Sequence, residues 1–250
     1  MLSKSLLSFV ATLIIALPAS AQSVDQVLAK YYQARGGLEK IKSVKTLRFT
    51  AKISGGPMEI PVTMEQKRPN SMRMEFTFQG LTGIQAYDGK TGWMIMPFGG
   101  KKDPEPMGED MLKELAKQAD IDGPLVDYKE KGHQVELLGK ESVEGTEAYK
   151  LKLTRRDGDV EYIYLDADSY VEIKSEGKRM IRGSEFEAET IYGDYKQVDG
   201  LMIAHSIESG PKGSSQKQKI TIEKIEINPP IEDTRFAMPE VKKPDAKPEK

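Results

Sequence analysis

Apolar residues first appear at helical spacing. Val24, Val27, Leu28 and Tyr31 form one stripe, and Ser23 and Gln26 stand at capping-box spacing, so a helix is predicted over Ser23–Ala34. Gly36-Gly37 ends it, and a short second turn over Leu38–Ile41 leads on. The period then falls from 3.6 to 2. Leu47, Phe49, Ala51 and Ile53 alternate with Arg48, Thr50 and Lys52. Beyond a Gly55-Gly56 turn, Met58, Ile60, Val62 and Met64 alternate, and after Lys67-Arg68-Pro69-Asn70 so do Met72, Met74, Phe76 and Phe78. Three consecutive strands of strict alternation predict an antiparallel meander with one apolar face.

Pro104, Pro106 and Gly108 break this pattern, and an amphipathic helix is predicted over Glu109–Ala119. Its first turn is acidic and its stripe is Met111, Leu112, Leu115, Ala116 and Ala119. Asp120–Pro124 ends it. Further strands are predicted near Gln134–Leu138, Ala148–Thr154, Val160–Leu165, Tyr170–Ser175, Glu185–Lys196, Leu201–Glu208 and Lys217–Ile227. Turn signals separate several of them, Arg156–Asp159, Asp166–Ser169 and Val198–Gly200. In the last strand Ile220 and Ile222 give way to Ile225 and Ile227, a one-residue slip that predicts a bulge. The fold class is mainly β: one large, strongly curved antiparallel sheet with two helical insertions.

The ends add a destination. Lys4, the apolar run Leu6–Leu17, Pro18 and Ala19-Ser20-Ala21 read as a cleavable export signal over residues 1–21, with a retained membrane anchor as the alternative. A single β-domain is expected over 22–238, and a charged, Pro-rich, disordered tail over 239–250. The chain has no Cys, which excludes disulfides, thiolate chemistry and a lipidated N-terminal Cys. A periplasmic, soluble protein is therefore expected. Net charge is −2 with lysines and glutamates interspersed, so no basic stripe exists for nucleic acid.

Catalytic chemistry finds no footing in these residues. His133 and His205 stand far apart in the chain, each in or beside a strand, and no group at metal-ligand spacing occurs, so neither metal nor cofactor is expected. Asp166 and Asp168 read as turn residues, and neither Gly-x-Ser-x-Gly nor a phosphate-cradling glycine loop is present. The chain is expected not to be an enzyme. What it offers is apolar shape. Eight of the 12 methionines lie between Met58 and Met111. Flexible thioethers fill cores, and they also recur on adaptable binding surfaces. The residues alone leave both readings open, a filled core and a cavity for flexible apolar ligands.

The corner Lys67-Arg68-Pro69-Asn70, followed by Asp88-Gly89-Lys90-Thr91-Gly92-Trp93 and Pro97-Phe98, resembles the periplasmic lipoprotein-sorting carriers, the LolA-like family. Phe236-x-x-Pro239 resembles that family's C-terminal end. The specific likeness covers about Lys67–Phe98; elsewhere only the order of elements agrees. Met96 and Gly92 depart from the pattern, and Gly99–Gly108 and the chain after Phe236 have no counterpart in it.

The resemblance implies an unclosed half-barrel with helices over its concave face and a cavity for lipoprotein acyl chains or a related lipid. It implies that Arg68 latches the lid and that Met72 points inward. The sheet residues expected to line the cavity are Phe49, Ile60, Val62, Met64, Met72, Met74, Phe76, Phe78, Trp93 and Ile95; Met111, Leu112 and Leu115 are expected from the helix. Gly99, Gly100 and Gly108 are candidate hinges. The expected function is a monomeric carrier moving acyl chains towards the outer membrane, between an inner-membrane donor and an outer-membrane acceptor. The alternative is an envelope sensor with the same cavity, acting on a membrane partner.

Overall fold

The computed structural model describes residues 22–55, 58–100, 102–181 and 184–240. The predicted leader, residues 241–250 of the predicted tail and Gly56 of the first hairpin lie outside them. The strands are β1 (Thr46–Ser54), β2 (Glu59–Lys67), β3 (Ser71–Phe78), β4 (Leu81–Tyr87), β5 (Gly92–Ile95), β6 (Glu105–Pro106), β7 (Gln134–Val143), β8 (Thr146–Thr154), β9 (Val160–Asp166), β10 (Glu172–Ile181), β11 (Ser184–Val198), β12 (Leu201–Pro211) and β13 (Gln218–Ile227). They form one antiparallel, unclosed sheet of 13 strands in the order β6-β5-β4-β3-β2-β1-β13-β12-β11-β10-β9-β8-β7.

That order decides where the helices go. The first meander runs outward from β1 to the edge at β6, and the second starts at the opposite edge, β7, and returns to pair β13 with β1. The connection from β6 to β7 therefore has to cross the sheet. It carries α3 (Glu109–Gln118) and the turns after it. The other α-helices among the described residues are α1 (Val24–Ala34), opened by the Ser23/Gln26 capping box, and α2 (Leu38–Ser43).

Three apolar clusters line the helix-bearing face. Val27, Leu28 and Tyr31 of α1 pack with Leu125 on Leu151, Leu153, Ile163 and Leu165 of β8 and β9. Ile41 and Val44 pack with Val126 on Leu47, Phe49, Leu201 and Ile222. Leu115 and Ala119 at the end of α3 pack with Met107 on Met72 and Tyr87. The expected slip in the last strand is present: Thr50 faces Lys224 while Ala51 faces Ile222, which leaves Glu223 as the extra residue.

The opposite face of β1–β5 has its own cover. The chain after β13 returns across it, with Lys67 Nζ donating to the Ile231 carbonyl at 2.7 Å. Arg235 reaches Glu65 at 2.7 Å and Glu75 at 3.0 Å, and Phe236 is buried.

Candidate functional site

Strand pairing sorts the expected wall residues by face. Phe49 faces Met64 across β1 and β2, and Met64 faces Met74 on β3. Likewise Ala51 faces Val62, which faces Phe76, and Ile53 faces Ile60. Met72 faces Tyr87, and Met74 faces Gln85. All of these belong to the helix-bearing face, since Phe49, Met64, Met72 and Met74 sit in its clusters. Met72 is 0 % exposed, directly beneath α3.

Two of the expected sheet residues point the other way. Trp93 pairs with Ala86, which pairs with Arg73, and Ile95 pairs with Ile84, so both stand on the opposite face. The Trp93 indole donates to the Phe236 carbonyl at 2.8 Å, and the Arg73 guanidinium lies over the ring at 5.5 Å. Trp93 anchors the returning C-terminal segment and does not line the wall. The physical reason is the period of two: its neighbours Gly92 and Met94 take the helix-bearing face. Met111 also departs from expectation. It is 39 % exposed and lies outside the cluster formed by Leu112, Leu115, Ala116 and Ala119.

Gly92 has a use that its sequence context hides. A Cβ at this position would stand 2.7 Å from Leu112 Cδ1 and 3.1 Å from the Met107 sulfur. Its lack of a side chain lets α3 settle on the sheet. The hairpin before it is held by Asp88, whose carboxylate accepts from the amides of Lys90 and Thr91 at 2.8 and 2.7 Å.

The wall continues past its cover. Ile207, Ile220, Ile53 and Ile60 occupy successive paired positions across β12, β13, β1 and β2, and each is half-buried. Beyond them, the Phe98 ring stacks on Phe76 at 5.7 Å and meets Phe78 edge-on at 6.1 Å. Phe98 is 42 % exposed. From this strip the wall runs inward along β1 through Ala51 and Phe49 to a small cavity of 120 Å³ lined by Ile41, Val44, Leu47, Phe49 and Ile121. That is room for about four waters at ~30 Å³ each.

Arg68 holds the roof of this cavity. Its Nε donates to the Val44 carbonyl and Nη2 to the Ile41 carbonyl at 3.3 Å, both at the end of α2. Its Nη1 donates to Asp122 Oδ2 at 2.7 Å, and Nη2 to the other oxygen of the same carboxylate. This pairing, followed by burial and then the Asp122 charge, sets the Arg68 pKa, which stays above its ordinary value. Asp122 is the residue that reading the chain alone passes over: Asp120–Pro124 shows there only as the end of a helix. Its carbonyl accepts from Arg35 at 2.8 Å, and Tyr32 donates to the Leu125 carbonyl at 2.7 Å, so α1, its cap and Arg68 after β2 all fasten the same turn.

Two further expectations concern chemistry. His133 Nδ1 accepts from the Arg156 amide at 3.1 Å, and His205 Nδ1 lies 2.9 Å from the Ile203 carbonyl. Asp166 Oδ1 accepts from the amides of Asp168 and Ser169, as turn chemistry predicts. Among the described residues no group of His, Asp or Glu could hold a metal ion, and no helix is long and apolar enough to cross a membrane.

No protein-family model matches the chain, and no curated protein matches it. Solved structures do. A LolA superfamily protein from Nitrosomonas europaea superposes with a TM-score of 0.59 at 13 % identity, covering 87 % of this chain and 98 % of that one. A DUF1329 family protein from Desulfovibrio piger gives 0.57 at 13 % identity, over 84 % of this chain and 97 % of that one. A domain from Vibrio parahaemolyticus, described as a candidate outer membrane lipoprotein-sorting protein, gives 0.54 at 13 % identity over 84 % and 94 %. At this identity the likeness is one of fold, and that fold is LolA-like.

Proposed function

We propose that the protein is a periplasmic carrier that shields acyl chains of a lipoprotein or related lipid on the apolar wall of β1–β5. The observation that carries this reading is a wall that outruns its cover. Its inner part lies under α3 and the Asp122 turn, while the isoleucine row and the Phe76–Phe98 stack remain partly in water. Burying a methylene from water is worth about 0.8 kcal/mol, so part of one chain laid on this strip gains several kcal/mol. Two of the similar folds, a LolA superfamily protein and a lipoprotein-sorting domain, support the same reading.

The inner cavity is too small for an acyl chain, so loading displaces the cover. Arg68 is the latch in this scheme: it ties the end of α2 to the turn that follows α3. Gly100, at φ 83, and Gly108, with open space where its Cβ would be, are the hinges on which α3 would swing. Transfer needs no covalent step. Native mass spectrometry of protein purified from its own periplasm, with uptake of a hydrophobic fluorescent probe, tests the proposal. Bound lipid and saturable uptake are expected. A consistently empty protein that ignores the probe overturns it, and a co-purifying regulatory protein in place of lipid points to the sensor.

A further inference from the structure

Between α3 and strands β9–β11 lies a second cavity, of 190 Å³, on the same face of the sheet and different in character. Charged side chains surround it, and nearly all are matched. Glu161 pairs with Arg155 at 2.8 Å, Glu114 with Lys117 at 2.7 Å and with Arg179 at 3.1 Å, Asp159 with Lys117 at 2.8 Å, and Lys178 with Glu185 at 2.7 Å. Glu172 is the exception. It lines the cavity, yet among the described residues nothing donates to its carboxyl group; the Tyr195 hydroxyl donates to its backbone carbonyl instead. The floor adds hydroxyl oxygens from Ser175 and Tyr192, 3.3 Å apart, and from Thr190.

We propose that this cavity binds a primary ammonium group, with the Glu172 carboxylate as its counter-ion and the hydroxyls of Ser175, Tyr192 and Thr190 as its remaining acceptors. An ammonium brings three N–H donors, which the carboxylate and the floor can take up. Burial, then the Glu161 charge, push the Glu172 pKa up to about 8 against the opposing pull of Arg35 and Arg155. Arg35 and Arg155 draw on Glu172 only through the field, so its carboxyl group keeps its acceptor sites for a donor that enters the cavity. An unpaired acid with so raised a pKa in a cleft is a candidate for ligand binding.

The protonation sign follows. The folded-state value lies above the unfolded one, so at neutral pH the free site holds a proton that an arriving ammonium must release. Between about pH 6 and about pH 8 affinity rises towards tenfold per unit; it levels off above about pH 8, until the amine itself deprotonates near pH 10. The other groups facing Glu172 are Tyr31 from α1, Arg35 just after it, and Tyr192 and Tyr195 from β11, while Glu114, Lys117 and Arg179 share the cavity wall. Arg35 keeps its charge throughout this window. Burial holds all three tyrosines above it.

Isothermal titration with ethylammonium chloride, in two buffers of different ionisation enthalpy, tests the site. Saturable binding, proton release below about pH 8 and no binding of acetate or ethanol are expected. Glu172→Gln should lose at least tenfold in affinity. That variant should also fold: it removes an acid whose raised pKa costs stability progressively from about pH 4 to about pH 8. As a check needing no variant, the ¹³C-carboxyl titration of Glu172 should move to lower pH when ethylammonium is added. Tighter binding of octylammonium identifies a lipid-borne amine, and equal binding a free one. No saturable ethylammonium binding, or an affinity unchanged in Glu172→Gln, overturns the proposal. Probe uptake by the apolar wall is read separately and stands whichever way this result falls.

Discussion

The two faces of β1–β5 are built from alternate residues of the same strands, and they are covered in opposite ways. On one face Glu65 accepts from Arg48 at 3.0 Å and from Arg235 at 2.7 Å, Arg73 meets Glu75 at 2.7 Å, and Trp93 is bonded to Phe236. Directional bonds fix each partner. On the other, α3 rests on Met64, Met72, Met74 and Met94 through Leu112, Leu115 and two alanines, with Gly92 giving it room. Thioethers adapt to whatever touches them, while a guanidinium fork does not. A sheet fastened from behind by Phe236 and Arg235 can therefore afford a loose cover in front.

The strongest way to break this comparison is Phe236→Ala. The side chain is 2 % exposed, and its loss should cost about 3–5 kcal/mol, read as a lower urea midpoint. Hydrophobic-probe uptake by the remaining folded protein should not change. If uptake changes as much as stability, the two faces are not separate in function. Arg68→Leu comes next. It strands the Asp122 carboxylate and two carbonyls of α2, and breaking a buried pair costs about 3–5 kcal/mol. Because the Arg68 side chain is 29 % exposed, about 2–3 kcal/mol is expected. Here probe binding should move as well: release slows if the freed cover closes over its cargo. Uptake and release identical to the parent protein would count against the latch. Gly92→Val pushes on Leu112 from below and should cost about 1–3 kcal/mol, with faster uptake as α3 is lifted. A crystal structure of that variant with α3 unmoved would sink this reading.

How far the chain announced this arrangement depends on the distance between partners. Faces along β1, β2 and β3 follow from alternation, because Phe49, Val62, Met64, Met72 and Met74 keep a strict period of two. The same rule does not carry across a hairpin, so the wall position that the resemblance implies for Trp93 gives way to the Gly92–Ile95 parity, which puts it behind. Its partner lies 143 residues away, beyond any local signal. Asp122 went unread for the same reason, since Arg68 is 54 residues earlier. Within α3 the apolar stripe is broad enough to include Met111. Docking selects Leu112, Leu115 and Ala119 and turns Met111 to solvent.

The smallest effect concerns the charged side of α3, which borders the second cavity and touches neither face of β1–β5. Lys113 reaches Asp157 and Asp159 at 3.0 Å each, and Lys117 reaches Asp159 at 2.8 Å, joining α3 to the β8–β9 turn across the open side of the sheet. Such pairs are part-exposed, so Asp159→Asn should cost only about 0.5 kcal/mol. Burial alone would raise the Asp159 carboxyl, but the ammonium groups of Lys117 and Lys113 outweigh it and hold its pKa below the ordinary value. Its contribution is therefore complete above about pH 4 and lost as pH falls through the lower folded value. Salt acts on the same bonds. Raising the ionic strength from about 0.01 M to about 1 M shortens the screening length from about 30 Å to about 3 Å, and the rate of probe entry should rise. Asp159→Asn should enter faster at low salt and respond less to added salt. If both proteins show the same salt dependence, α3 is held by its methionine seat alone, and the contrast between the two faces becomes sharper.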